Sequence, residues 1–356
     1  SETALLIEAG VQAAAAEVLA PMLAEPASLD ELVERGSLDR GAVPLATRLL
    51  LALEASDHAQ DTEGRWQITG EAMDVADVVA LISTEHPERL AEAAMLAAMP
   101  TWFAAAFRGG LSEAMLAAEP LLAQLATDAP FSAPIYDALK ETLVAIMGRR
   151  DQSALRLCIV GARNIGFLRA VAALVDEERV RLVVTDRDAT TAERLALVWE
   201  PTPGVEIASF AELTADPHPY DAMLLTPSLG VTRLDGLKDL LKPGGALIGA
   251  AYGPALFVDA LCGLTADWWA GSADPEEPVG RLMNTQEWTD ALADVGLTPA
   301  TVAPLASGDA DAILWSAARE AANPIEEALQ LPSLHAVGEA ARKVCVALSA
   351  MQEERP

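Results

Sequence analysis

The chain has 356 residues, 52% of them hydrophobic, and a formal net charge of −29. This length and apolar fraction suffice for one large core or two modest ones. A surface this acidic repels phosphate backbones, which excludes nucleic acid as an expected partner. No run of 18 uncharged apolar residues occurs, so the sequence predicts no membrane-spanning helix.

The cysteines and the first segment both favour a cytoplasmic protein. Cys158, Cys262 and Cys345 are isolated from one another and lack the spacing of metal ligands, so we predict buried, reduced thiols and no metal site. The segment SETALLIEAGVQ carries acidic residues where a secretory signal has basic ones.

Hydrophobic periodicity divides the chain near residue 150. Residues 1–150 carry apolar residues at helical spacing, residues 151–322 alternate between strand-like and helical runs, and residues 323–356 read as a helical tail or linker. We therefore predict an N-terminal helical subdomain, an α/β core and a C-terminal tail.

One short stretch of the helical subdomain has a second interpretation. SLDELVERG begins at Ser28 with the form of a capping box, and the strand-like RWQIT at 65–69 follows a helix. A helix followed by such a strand resembles a DNA-binding winged helix, but the segment is acidic rather than basic. A helical cap with a structural wing is the favoured interpretation.

The core reads as a doubly wound sheet. Five apolar runs rich in branched residues are separated by helical stretches of crossover length, which predicts mostly parallel strands with helices on both faces. KPGG at 242–245 predicts a tight turn before the fifth run, and AILWSAARE near 312–320 a late antiparallel strand at the far side. The five runs are ALRLCIV (154–160), VRLVVTD (180–186), VEIASF (205–210), DAMLLT (221–226) and ALIGAAY (246–252).

The segment LRLCIVGARNIG at 155–166 joins the first run to its helix. A strand, a glycine turn and a helix N-terminus in this order are typical of α/β domains that hold a ligand at the turn. Gly161 and Gly166 remain in the turn, but Arg163, Asn164 and Ile165 stand where such loops are rich in glycine. The pattern therefore predicts the fold more strongly than it predicts binding.

Several segments together resemble the C-methyltransferase domain of modular polyketide synthases over nearly the whole chain. The resemblance implies a Rossmann-like class I methyltransferase sheet, a helical lid, and work beside an acyl carrier protein and neighbouring synthase domains. Its motifs are EHPERLAEAAMLAAMPTWFAAAFRGGLSEAML (85–116), PIYDALKETLVAIM (134–147), TD (185–186), LLKPGG (240–245), GLTADWWAG (263–271) and NTQEWTDALADVGL (284–297).

The chain departs from this family where S-adenosylmethionine would bind. Alignment at Gly161 puts Ile159 at the position of an acid, and Arg163 and Ile165 at positions of glycine. The resemblance implies an adenine-binding residue after the third strand. Ser209 and Phe210 stand there instead. Asp186 stays where the resemblance places the ligand of the ribose hydroxyls. We therefore expect a degenerate site and no bound cofactor, with Gly161, Arg163, Gly166 and Asp186 as its remnants.

The catalytic positions implied by the resemblance also differ. The family uses a His after the fourth strand and a Glu at the end of the fifth, and here Gly230 and Ala251 stand at those positions. Neither side chain can accept a proton, so methyl transfer loses its general base.

Other polar residues near the expected strand ends remain candidates for different chemistry. Tyr252, Thr226, Ser228 and Thr232 converge there if the sheet is doubly wound, although hydroxyls at such places more often cap helices and turns. Arg163 could either hold an anion at the helix N-terminus or pair with Asp186 and fill the empty cavity, and we favour the pairing.

Three functions remain open. The first is a pseudo-methyltransferase kept as a scaffold or substrate-contacting unit, and the second is an S-adenosylmethionine-independent enzyme acting on a carrier-bound acyl thioester. The third is an atypical active C-methyltransferase. Loss of both the cofactor and the catalytic groups favours the first, while the small residues Gly230, Gly249, Ala250, Ala251 and Gly253 would leave space for the second.

Overall fold

The computed structural model describes residues 2–70, 72–127, 129–148, 154–228, 233–264, 266–269, 278, 280–305 and 312–320. The predicted tail at 323–356, Cys345, Gly230 and Thr232 lie outside these residues. Helices dominate the chain up to residue 147, and a strand–helix alternation begins at residue 155.

The N-terminal helical region contains seven helices and one hairpin among its described residues. Ser28 caps the second helix in the predicted capping box, because its hydroxyl accepts the Glu31 amide while the Glu31 carboxylate accepts the Ser28 amide. The elements are α1 (Glu2–Leu19), α2 (Leu29–Glu34), α3 (Val43–Glu54), β1 (Ala59–Thr62), β2 (Arg65–Ile68), α4 (Val75–Glu85), α5 (Leu90–Phe107), α6 (Leu111–Leu125) and α7 (Ala133–Met147).

Helix α5 is the centre of this region and packs against α1, α4 and α6. Gly10 permits close approach of α1, because a Cβ at that position would lie 2.7 Å from Leu96 Cδ1. Among the described residues, one helical stretch, Pro87–Phe107, is long and apolar enough to cross a membrane. Half of it is buried inside the protein. Its packing is that of a core helix.

The α/β core is built around a seven-stranded sheet in the order β5-β4-β3-β6-β7-β9-β8. The first five strands in this order are parallel, while β9 is antiparallel to both β7 and β8. The elements are β3 (Leu155–Val160), α8 (Ile165–Ala172), β4 (Val180–Thr185), α9 (Ala189–Val198), β5 (Val205–Ile207), α10 (Phe210–Ala215), β6 (Tyr220–Leu225), α11 (Leu237–Leu240), β7 (Leu241–Tyr252), α12 (Leu256–Cys262), α13 (Thr285–Asp294), β8 (Thr298–Leu305) and β9 (Ala312–Ala318).

Alternate strand residues face two different cores. Leu157 and Ile159 belong to the core shared with the helical region, whereas Cys158 and Val160 belong to the core on the opposite face. Both faces are therefore covered, as the near-continuous apolar runs predict. The predicted class I methyltransferase-type α/β sheet with an N-terminal helical region is confirmed.

Three details of the strand prediction are wrong. The segment 242–245 lies within β7 instead of forming a separate turn before it, although Gly244 has the positive φ of 76° that a turn would need. The VEIASF run contributes only three strand residues, because Ser209 begins a helix. The late strand β9 lies inside the sheet, since β8, which was not predicted, covers its outer edge.

A partly buried ion pair joins the helical region to the core. Arg48 of α3 lies 2.9 Å from the carboxylate of Asp259 in α12, and Trp268 donates its indole N–H to the other oxygen at 3.1 Å. Burial raises the pKa of Asp259, and its hydrogen bond to Arg48 opposes that shift. The contact fixes α3 against α12.

Candidate functional site

A small open cleft lies at the carboxyl ends of β3, β4 and β6, where doubly wound sheets bind ligands. Its volume is about 120 Å³, below the roughly 300–1,000 Å³ of sites that hold drug-sized ligands. The cleft brings together five of the residues proposed from the sequence, namely Gly161, Arg163, Asp186, Thr226 and Ser228.

Gly161 forms the turn at the end of β3. Its φ of 117° favours glycine, and a Cβ at this position would lie 1.9 Å from Thr226 Oγ1. The Thr226 amide also donates to the carbonyl of Val160 at 3.1 Å. The space that the glycine leaves is thus taken by a side chain of this protein, and Gly161 is required by packing as well as by backbone conformation.

Asp186 is buried beneath the same turn. One carboxylate oxygen accepts the amide of Ala162 at 2.8 Å, and the other accepts the amide of Asp188 at 2.9 Å. One oxygen of the residue that the resemblance assigns to ribose hydroxyls therefore holds the glycine turn, and the other holds the backbone ahead of α9.

Asn164 closes the N-terminus of α8. Its Oδ1 accepts the amide of Phe167 at 2.9 Å, which satisfies a donor that a ligand would otherwise use. Its amide group donates to the carbonyl of Thr127 at 2.8 Å. Asn164 therefore links the glycine turn to the helical region.

The expected ion pair between Arg163 and Asp186 does not form. Arg163 is exposed at the cleft, and the two Asp186 oxygens are engaged by backbone amides. The hypothesis that Arg163 pairs with Asp186 is therefore wrong. The buried carboxylate lies under the turn, and the guanidinium lies outside it.

Two further arginines line the cleft, and neither was proposed from the sequence. Arg187 lies 4.5 Å above the ring of Phe210 and donates to the carbonyl of Asp235 at 2.5 Å. Burial lowers the pKa of Arg187, the charge of Asp235 opposes that shift, and nearby Arg233 adds to it. A signal was present in the sequence, since Arg187 directly follows the acid that ends the second strand-like run.

Tyr252 lies away from the cleft. Its hydroxyl is buried 2.7 Å from the hydroxyl of Ser132, and its ring stacks on Phe131 with the centroids 4.9 Å apart. Burial raises the pKa of Tyr252 to about 12, while the Ser132 hydrogen bond partly opposes this shift. A phenol in this setting packs the helical region onto β7, and it does not meet Thr226 or Ser228.

The small residues of β7 leave less room than expected. A Cβ at Gly249 would lie 2.3 Å from the ring of Trp315 on the neighbouring strand β9, and Ala250 and Ala251 are buried. Gly249 therefore accommodates an indole of this protein. Gly166, in the first turn of α8, is exposed and does not line the cleft.

Comparison with known proteins agrees with this architecture. No protein-family model and no curated protein matches the chain. Three solved structures match over 90% of it: CurJ carbon methyltransferase (20% identity, 93% of that chain, TM-score 0.69), DszA carbon methyltransferase (16%, 90%, 0.69) and the CMeT domain of the citrinin polyketide synthase (15%, 90%, 0.68). At these identities the likeness establishes only that the chain shares the fold of these three methyltransferase structures.

Proposed function

We propose that this chain is a polyketide-synthase methyltransferase homologue that has lost S-adenosylmethionine binding and methyl transfer. In this proposal it serves the assembly line as a structural or substrate-contacting unit beside an acyl carrier protein and the neighbouring domains. Residues 1–150 would act as a lid, residues 151–322 as the core and residues 323–356 as the connecting tail.

The charge of the cleft carries the proposal. S-adenosylmethionine bears a sulfonium, an ammonium and a carboxylate group, so its net charge is +1, and the resembling family meets the ammonium with an acid at the end of the first strand. Here that position is Ile159, which is fully buried in the core. The cleft lining contains three guanidinium groups and a single carboxylate, Asp186. These residues do not fit a cationic cofactor, because like charges in a partly desolvated site repel.

The contacts of the glycine turn support the same conclusion. Asn164 occupies the N-terminus of α8, Thr226 fills the space beside Gly161, and Asp186 accepts two backbone amides. These contacts engage, within the protein itself, groups at the place where the resemblance puts the cofactor. The remaining volume of about 120 Å³ is also small, so the cleft would enclose only part of a nucleoside cofactor.

The alternative of an enzyme acting on a carrier-bound acyl thioester finds less support. Its first candidate, Tyr252, is paired with Ser132 in the interior and has a raised pKa. The space at Gly249 on which it depended is taken by Trp315. Thr226 and Ser228 do line the cleft, but a hydroxyl needs an adjacent base to act as a nucleophile.

Titration with S-adenosylmethionine and S-adenosylhomocysteine tests the proposal, because the fold likeness by itself suits an active methyltransferase equally well. We expect no heat of binding and no change in melting temperature at millimolar ligand. A ligand at a hundred times its Kd would stabilise the fold by about 2.7 kcal/mol, which is easily measured. A micromolar Kd, or a methylated product from a carrier-bound β-keto substrate, would contradict the proposal.

A second measurement addresses the assembly-line role. Deleting residues 1–322 from the complete synthase should lower the turnover of neighbouring domains, although no methyl group is lost from the product. The variants Thr226→Val and Tyr252→Phe, introduced separately, should leave product formation unchanged. Turnover that disappears in either variant would support the acyl-thioester enzyme instead.

A further inference from the structure

The cleft concentrates positive charge in a strongly acidic protein. The chain has 53 acidic and 24 basic residues, yet three arginines and only one carboxylate line this site. The carboxylate is Asp186, whose oxygens both accept backbone amides. Two further carboxylates lie beside the cleft, since Asp235 pairs with Arg187 and Asp188 interacts electrostatically with Arg163. Within the lining itself guanidinium groups outnumber carboxylates, the reverse of the protein's overall balance, and this favours an anionic group there.

Arg187 forms the fixed wall of this positive site. Its guanidinium is held by the ring of Phe210 and by Asp235, whose carboxylate lies 3.6 Å from Nη1. Its Nε is buried and has no hydrogen-bond partner among the described residues. A side chain held from two sides keeps its charge in place without the entropic cost of ordering a free arginine.

Arg163 and Arg233 complete the site from two other elements. Arg163 lies in the turn before α8, Arg233 lies ahead of α11, and both are exposed. Within the described part of the chain, neither makes an ion pair with a carboxylate. Both guanidinium groups are exposed to a ligand, with Asp188 near that of Arg163, and Thr226 and Ser228 line the same cleft.

The size of the cleft limits the ligand. With a volume of about 120 Å³ the cleft has room for a small group, and it is open on one side. A tetrahedral phosphate group fits this space, and the open side allows the rest of an ester to extend into solvent. Guanidinium forks and hydroxyl donors are the groups that proteins use for phosphate oxygens.

We propose that this cleft binds the phosphate group of a small phosphate ester, with Arg163 and Arg233 as its direct contacts and Arg187 as the fixed positive wall. The inference rests on the proposed function, because a bound S-adenosylmethionine would occupy the same cleft. These groups define an anion-binding site and assign no reaction to it.

Calorimetric titration of the full chain tests this site at one fixed, low ionic strength. The probes are inorganic phosphate, ribose 5-phosphate, AMP and adenosine. We expect ribose 5-phosphate and AMP to bind, adenosine not to bind, and added salt to weaken the binding because screening reduces it. Arg163→Gln and Arg233→Gln should each raise the Kd by about tenfold, the usual effect of losing one charge-assisted hydrogen bond.

Arg181→Gln is the matched control. Arg181 is also exposed, but it lies near the start of β4, at the end of the strand opposite the cleft. This variant should bind ribose 5-phosphate like the unaltered chain. No binding of any phosphate probe, an equal loss in Arg181→Gln, or adenosine binding as tightly as AMP would each overturn the inference.

The two proposals fail in different ways. Phosphate binding together with S-adenosylmethionine binding would overturn the proposed function and leave the anion site in place. Absence of both would leave the proposed function in place and overturn only the anion site.

Discussion

The side-chain amide of Asn164 donates a hydrogen bond to the carbonyl of Thr127 across 2.8 Å. Thr127 follows α6 in the helical region, and Asn164 caps α8 of the core. One side chain therefore both begins the first core helix and holds the helical region against the glycine turn. This double role gives the loop a structural function of its own.

Replacing Asn164 should destabilise the protein more than removal of an ordinary cap. Asn164→Ala removes the cap of α8 and the bond to Thr127, so we expect a loss of about 2–3 kcal/mol in the free energy of unfolding. Asn284→Ala is the control, because Asn284 caps α13 from an exposed position and should cost only about 1 kcal/mol. Urea denaturation measures both, and equal losses would show that the Thr127 bond contributes nothing.

Substitution of Gly161 tests whether the turn is fixed by packing. Gly161→Ala combines a strained φ of 117° with a 1.9 Å approach to Thr226 Oγ1, so we expect about 2–4 kcal/mol of destabilisation. Adding Thr226→Ala removes the clashing hydroxyl and should restore part of this loss, while the backbone strain remains. The measurement is a double-mutant cycle of thermal unfolding, and strictly additive effects would contradict the contact.

Gly249→Ala tests whether β7 offers space for a ligand. A Cβ there would lie 2.3 Å from the Trp315 ring, so overpacking should cost about 1–3 kcal/mol and shift the tryptophan fluorescence. Gly166→Ala is the opposite case, because its Cβ would lie 3.4 Å from Asn164 Oδ1 in an exposed helix turn. That change should stabilise the protein by about 0.5–1 kcal/mol. A neutral Gly249→Ala variant would mean that this side of β7 is open.

Alkaline titration tests the burial of the tyrosines. The chain has three, Tyr136, Tyr220 and Tyr252, and burial raises the pKa of each, to about 12 for Tyr252. A raised pKa in the folded state means that the protonated phenols contribute their full stability below pH 10, and that this contribution falls as the pH rises toward 12. Absorbance at the tyrosinate band should therefore stay flat through pH 10 while the fold persists.

Tyr252→Phe provides the control for that titration. It removes one of the three phenols and the hydrogen bond to Ser132, which should cost about 1 kcal/mol. A native-state ionisation near pH 10 that disappears in Tyr252→Phe would show that this phenol is accessible, and it would reopen the catalytic interpretation of Tyr252.

The sequence by itself determined the architecture. Apolar runs such as LRLCIV and VRLVVT could only be strands buried on both faces, and the change of period near residue 150 marked the end of the helical region. Ser28 and Glu31 identified a helix start by a local pattern, because both partners of a capping box lie within one turn. The substitutions at Ile159, Arg163 and Ile165 were equally visible, since the glycine turn fixes their alignment.

Only the tertiary structure decided what fills the site. The partners of Asn164, Gly249 and Tyr252 are Thr127, Trp315 and Ser132, which lie 37, 66 and 120 positions away in the chain. From the sequence we expected Arg163 to pair with Asp186. In the fold, Asp186 accepts backbone amides instead. Arg187 and Arg233 join Arg163 at the cleft. Contacts at such separations follow from how strands are ordered in the sheet and how loops meet at its edge, and local periodicity carries no information about either.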